Sequence, residues 1–286
     1  MENSKKMGVA LAVNTTGAIL AYLIGAGFAS GQEIMQYFSN WGSIAGVFEI
    51  GIIFIVFLTM TYISVGYIGR TREASNVNEL YEVIGGKYIG KLLSFFVWAY
   101  NLGCYFFMIS GFGNTLNQQF GLPVAAGSAI AVVISVGTAL LGLRKMVDII
   151  GKIGPVVVGF SLILGIVSAF RTFPHLAEGV ALMQSGAVEV NRAGHSILLS
   201  GISYTGTCIL LPMAYVAHLG HDLRDFRYQD TKRIFTAGTV LYTGCCIILA
   251  LNYIGMIEEC ATAAIPNLVL ANQFVSGMAI VFSIVI

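Results

Sequence analysis

Glu33 closes a run, Gly25-Ala26-Gly27-Phe28-Ala29-Ser30-Gly31-Gln32-Glu33, that interrupts an otherwise apolar stretch. Apolar residues lead into it up to Ile24 and resume from Ile34 to Phe38. In hydrocarbon every backbone N–H and C=O needs a partner, so glycines, a serine, an amide and an acid at that depth belong to backbone that lines a cavity or lies within protein. An ionisable residue there is a functional group by default. Half-helix starts offer N–H groups that suit a carboxylate. Unwound carbonyls and hydroxyls suit a hard cation or an amine, and Glu33 would neutralise an ammonium group or carry a proton. This is the chemistry of holding a polar guest.

A second polar, glycine-interrupted stretch follows, Ser200-Gly201-Ile202-Ser203-Tyr204-Thr205-Gly206-Thr207, then Leu210-Leu211-Pro212. It starts five crossings after the first, an odd number, so the two run antiparallel. Paired interruptions at matching positions of two halves point to a transporter site built from inverted repeats. The expected substrate site therefore takes Gly25, Ala26, Gly27, Phe28, Ser30, Gly31, Gln32 and Glu33 from one break and Ser203, Tyr204, Thr205 and Gly206 from the other. Asn101 and Tyr105, one helical turn apart near mid-depth beside Cys104 and Met108, are added from a third segment. Glu33, Glu49, Lys152 and Thr207 are the candidates for ion coupling. Plainer roles compete: Glu49 as a structural acid, Lys152 snorkelling to the surface, and Gly27-x-x-x-Gly31 as a helix-packing motif. A dinucleotide loop is excluded, because no strand precedes the glycines and no βαβ unit follows.

These residues need a membrane bundle to hold them. Of 286 residues, 57% are hydrophobic and 10% charged, with a mean hydropathy of +0.82. Soluble domains carry about 25% charged residues. Spans are expected at 9–38, 43–68, 92–116, 123–143, 148–170, 196–219 and 233–254, with an eighth starting near Phe274. With the N-terminus inside, 13 of the 15 basic residues fall in cytoplasmic segments, and only Arg171 and Arg192 do not. That bias predicts a multi-pass protein of the cell membrane with a cytoplasmic N-terminus. The eighth run, about 13 residues from Phe274, falls short of the roughly 20 that a span needs. The chain therefore reads as cut inside that helix.

Smaller features fit this plan. Residues 78–84 are expected to form a short surface helix before Gly85-Gly86, and the 172–195 loop another. Pro266 is expected to open a short helix. The five cysteines show no C-x-x-C spacing and read as small buried hydrophobes. His218-Leu219-Gly220-His221-Asp222 reads as a solvated loop, so neither metal nor cofactor is expected beyond a coupling Na⁺ or H⁺.

The stretch from Ile24 through Gly25-Ala26-Gly27-Phe28-Ala29-Ser30-Gly31-Gln32-Glu33 to Ile34, followed by Tyr37-Phe38, resembles the YkvI family of bacterial membrane proteins. That family is similar to the amino acid–polyamine–organocation superfamily. The resemblance implies a LeuT-type bundle: ten or more helices in two inverted five-helix repeats, working by alternating access. In such carriers the eighth helix supplies one side of a sodium site against the first.

The expected fold is thus an all-α integral membrane protein, a LeuT-type inverted-repeat bundle with discontinuous first and sixth helices, truncated in the eighth. It forms one transmembrane domain over 1–286, with a first repeat at 9–170 and an incomplete second at 196–286. The expected function is cation-coupled secondary transport of an amino acid or related small amine. The alternative is a membrane receptor subunit that binds an amino acid without transporting it. A channel is disfavoured for want of a filter sequence. An enzyme is not expected, because no nucleophile–base pair stands at membrane depth. Its partners are the small-molecule substrate and the bilayer, with no nucleic acid. Substrate, coupling ion and oligomeric state stay open.

Overall fold

A computed structural model describes residues 5–72, 77–140 and 143–273. The side chain of Lys152 and the eighth apolar run from Phe274 lie outside the described residues. The fold is all-helical. The first apolar stretch divides into α1 (Val9–Leu23), α2 (Ala26–Ser30) and α3 (Gln32–Tyr37). After a tight turn, α4 (Ile44–Thr71) starts at Ser43, whose Oγ accepts from the Gly46 N–H at 3.0 Å. Next come α5 (Val77–Phe120), kinked at Gly86 with φ 70°, α6 (Val124–Leu140) and α7 (Leu143–Thr172). The kink sets off residues 77–85 as the short surface helix expected there.

Helix α8 (Leu176–Ser185) lies in the loop that follows. The chain continues through α9 (Ile197–Leu210), α10 (Met213–Asp222) and α11 (Tyr228–Ile254), then the short α12 (Ile257–Thr262) and α13 (Pro266–Asn272). Among the described residues four helical stretches are long and apolar enough to cross a membrane, and the bent pair α9–α10, taken as one span, makes a fifth. The remaining apolar helices, α1 and α6, have 15 and 17 residues and are shorter than a full crossing. Helix α1 continues through α2 and α3.

Helices α4 and α11 form the centre. The first packs on α9, α10 and α11; the second also packs on α1 and α7. Their contact encloses Phe54, Tyr62, Phe235 and Tyr242, all fully buried. Helices α5 and α6 pair with each other and turn Phe95, Phe96, Trp98 and Phe106 outward. Lipid is as apolar as these side chains, so helix association rests on close packing of small residues. Gly69 of α4 lies against the Ala217 carbonyl of α10, and Gly220 of α10 against the Gly66 carbonyl.

One end of the bundle gathers basic residues. Arg70 donates to the carbonyls of Leu223 (2.9 Å) and Phe226 (2.6 Å), satisfying groups left free where α10 ends. The backbone of Lys5 pairs with this loop, donating to Asp225 O at 2.9 Å and accepting from Arg227 N at 3.0 Å. The start of the first span thus meets the end of the α9–α10 pair, so the two run antiparallel, as crossing order predicts.

Candidate functional site

The first span breaks twice. Ile24 (φ −84°, ψ 101°) and Gly25 (φ −99°, ψ 179°) are extended, which ends α1. The freed Leu23 carbonyl accepts from the Tyr242 hydroxyl at 3.0 Å, and Tyr204 donates in turn to Tyr242 at 2.9 Å. The second break is Gly31, whose φ of 88° separates α2 from α3 and favours glycine. The Phe28 and Ala29 carbonyls then accept from Asn267 Nδ2 at 3.1 and 2.9 Å. Asn267 is itself held by the Tyr253 hydroxyl. Every freed group named here has a protein partner, as hydrocarbon depth requires.

The sixth apolar stretch breaks elsewhere than expected. Helix α9 runs unbroken through Ser203, Tyr204, Thr205 and Gly206, and the axis bends by 52° at Leu211 and Pro212. The reason is local. A mid-helix glycine costs only about 1 kcal/mol, and the Thr205 and Thr207 hydroxyls donate back to Gly201 O (2.6 Å) and Ser203 O (3.3 Å) within the helix. Proline lacks an N–H and clashes with the preceding turn, at about 3 kcal/mol or more. The Cys208 carbonyl, four residues before Pro212, accepts instead from the Tyr62 hydroxyl at 2.9 Å.

The two breaks face one cavity of about 240 Å³. Gly25, Gly27 and Glu33 come from the first, and Thr207, Cys208, Leu211 and Pro212 from the second. Tyr22 and Tyr37 add aromatic wall, and α5 closes the space with Tyr100, Cys104, Phe107 and Met108. The Glu33 carboxylate lies directly over Gly27, where a Cβ would strike it. Among the described residues no side-chain donor or cation is bonded to that carboxylate. The cavity can therefore hold a small polar guest against an acid and several rings.

Comparison with known proteins agrees with a membrane assignment. No protein-family model matches the chain, and no solved structure does. The membrane protein named YkvI of Bacillus subtilis (strain 168) is 26% identical over 166 residues, 57% of this chain and 46% of that protein. YyaD of the same organism is 30% identical over 206 residues, 72% of this chain and 56% of YyaD. The chain is a multi-pass membrane protein similar to YkvI. It spans about half the length of the curated relatives it matches.

The cavity of this YkvI-like chain collects only part of the residues that the sequence marks. Gly25, Gly27, Glu33 and Thr207 line it. Ala26 opens α2. Phe28 is buried with its ring on Tyr242, the centroids 5.1 Å apart. Ser30 donates to Gly27 O at 3.0 Å, and Gly31 lies against Tyr253. Gln32 is spent on the Ala263 carbonyl at 2.7 Å.

Asn101 donates to Val97 O on its own helix, and the Tyr105 hydroxyl lies 2.8 Å from Ser135 of α6, so neither reaches the cavity. Ser203 and Glu49 lie on exposed faces. Tyr204 and Thr205 are buried and bonded to protein, and Gly206 faces open space. The alternation of a helix explains this: a polar run of eight residues covers more than two turns, so only part of it can face one cavity.

Sequence reasoning missed Tyr242, Asn267 and Tyr100. Their roles come from distant neighbours, and no local motif marks them. Because α9 is continuous at Gly206, a Gly206→Ala protein is expected to gain up to about 1 kcal/mol of stability. Thermal unfolding checks this; a loss of stability would return the break to Gly206.

Proposed function

We propose that the chain is the cavity-bearing part of a secondary transporter for a small amine or amino acid, coupled to Na⁺ or H⁺ and working by alternating access. The observation that carries this reading is the meeting of two antiparallel broken helices at one cavity, which holds a carboxylate bonded to no side chain among the described residues. Broken helices are costly in a bilayer and are kept where they line a polar site. Glu33 offers the charge for an ammonium group or a proton, and Thr207 offers an oxygen in the same cavity. The basic end of the bundle, with Lys5, Arg70, Arg224 and Arg227, supports a cytoplasmic N-terminus in the cell membrane. On the resemblance to LeuT-type carriers, the helices form inverted repeats.

Uptake into proteoliposomes tests the proposal, using the complete protein, labelled amines and amino acids, and Na⁺ and pH gradients imposed separately. Accumulation against a concentration gradient, abolished when one ion gradient is collapsed, is the expected result. Saturable binding without flux would replace the transporter with a sensor subunit, and absence of both would remove the site.

A further inference from the structure

We infer that the cavity takes an organic cation, an amine with a compact apolar or aromatic body and no free carboxylate, rather than a zwitterionic amino acid. This rests on the reading of the cavity as the substrate site and narrows its ligand by charge.

A carboxylate of the protein already stands at the first break: the Glu33 side chain folds back across the turn from α3 and lies on Gly27. A second carboxylate brought to the same backbone would meet Glu33 at close range, and like charges at such a site repel strongly where water is scarce. The other walls offer an anion neutral donors, such as the Gln36 amide and the Tyr22, Tyr37 and Tyr100 hydroxyls, and no opposite charge. Among the described residues no Lys, Arg or His lines the cavity. The second break presents Leu211, an alkyl chain, and Pro212, which has no N–H. Thr207 has its hydroxyl hydrogen turned to Ser203 O.

A cation meets the opposite situation. Glu33 is the one formal charge among the described lining residues, and Tyr22, Tyr37, Tyr100 and Phe107 surround it with ring surface. Ring faces attract ammonium groups, and more strongly when both are desolvated. The volume of about 240 Å³ equals roughly eight waters at about 30 Å³ each. That suits a small amine.

Cys104 gives a readout of occupancy that does not depend on transport. It lines the cavity and is half-buried, whereas Cys208, Cys245, Cys246 and Cys260 are buried. Alkylation of Cys104 by N-ethylmaleimide, followed by peptide mass spectrometry on the complete protein, would be measured with three matched probe sets. These are phenethylamine and isoamylamine; phenylalanine and leucine; and the methyl esters of the two amino acids, which mask the carboxylate and keep the ammonium group. The amines and esters are expected to slow labelling by roughly tenfold or more at concentrations where the free amino acids do nothing. In Glu33→Gln, protection by the amines is expected to fall by a similar factor, measured against that variant's own ligand-free labelling rate, with thermal unfolding as the report of an intact fold. Glu33→Asp is expected to restore part of the protection.

Protection by phenylalanine or leucine equal to that of their esters would overturn the charge assignment alone and leave the cavity as the substrate site. Normal labelling of Cys104 with no protection by any probe would overturn both.

Discussion

A Gly27→Leu protein is expected to fold and to carry out uptake at background level. Gly27 forms the floor of the cavity beneath Glu33, and the first carbon of any side chain there would strike the carboxylate. Leucine would both fill space and force Glu33 off the turn. Displacing a binding group by about 1 Å costs on the order of 100-fold in rate, and this displacement is larger. The fold should survive, because the obstructing atoms are the end of a flexible side chain and overpacking of this kind costs about 1–3 kcal/mol. Thermal unfolding and uptake, measured on the same preparation, separate the two effects. A Gly27→Ala/Glu33→Ala pair adds a control: removing the acid relieves the clash, so stability should recover while uptake does not. Full uptake in Gly27→Leu would mean that the substrate passes elsewhere.

The second large effect is structural. Gly69→Val is expected to prevent accumulation of folded, monodisperse protein, with a destabilisation above about 3 kcal/mol. Helices α4 and α10 cross so closely that Gly69 rests on the Ala217 carbonyl and Gly220 rests on the Gly66 carbonyl. Backbone cannot turn aside as the Glu33 side chain can. The helices would have to separate, and Tyr62 of α4, which satisfies the carbonyl freed by Pro212, would be drawn away with them. Size-exclusion profiles and thermal unfolding in detergent measure the loss. Gly103→Val is the control: Gly103 of α5 has open space around it, so the same substitution there should leave the profile unchanged. A folded Gly69→Val protein with a normal melting temperature would show that the crossing is looser than described.

Between them these two glycines show how little of a residue's duty is visible from its neighbours in the chain. Both belong to small-residue spacings in apolar helices, and the sequence ranks the one near Glu33 as chemical and leaves the other unremarked. The break after Ile24 was legible, because glycine, serine and an acid together at membrane depth have few uses besides an unwound, polar-lined segment. The break in the sixth span was misplaced by about two turns. Its glycines and hydroxyls match those of the first break in type, but the hydroxyls close back on their own helix and the proline does the breaking.

The amino-acid sequence by itself determined that the chain is helical, apolar enough to enter a membrane, antiparallel in its two interrupted spans, and YkvI-like. Those properties follow from composition, from counting crossings and from one contiguous run of residues. Tertiary structure alone decided which polar groups share a cavity and which are spent on the backbone. Tyr242 reaches Leu23 across 219 positions, Asn267 reaches Phe28 across 239, and Tyr62 reaches Cys208 across 146. A freed carbonyl takes whichever donor the folded bundle brings within about 3 Å, and chain order holds no record of that distance.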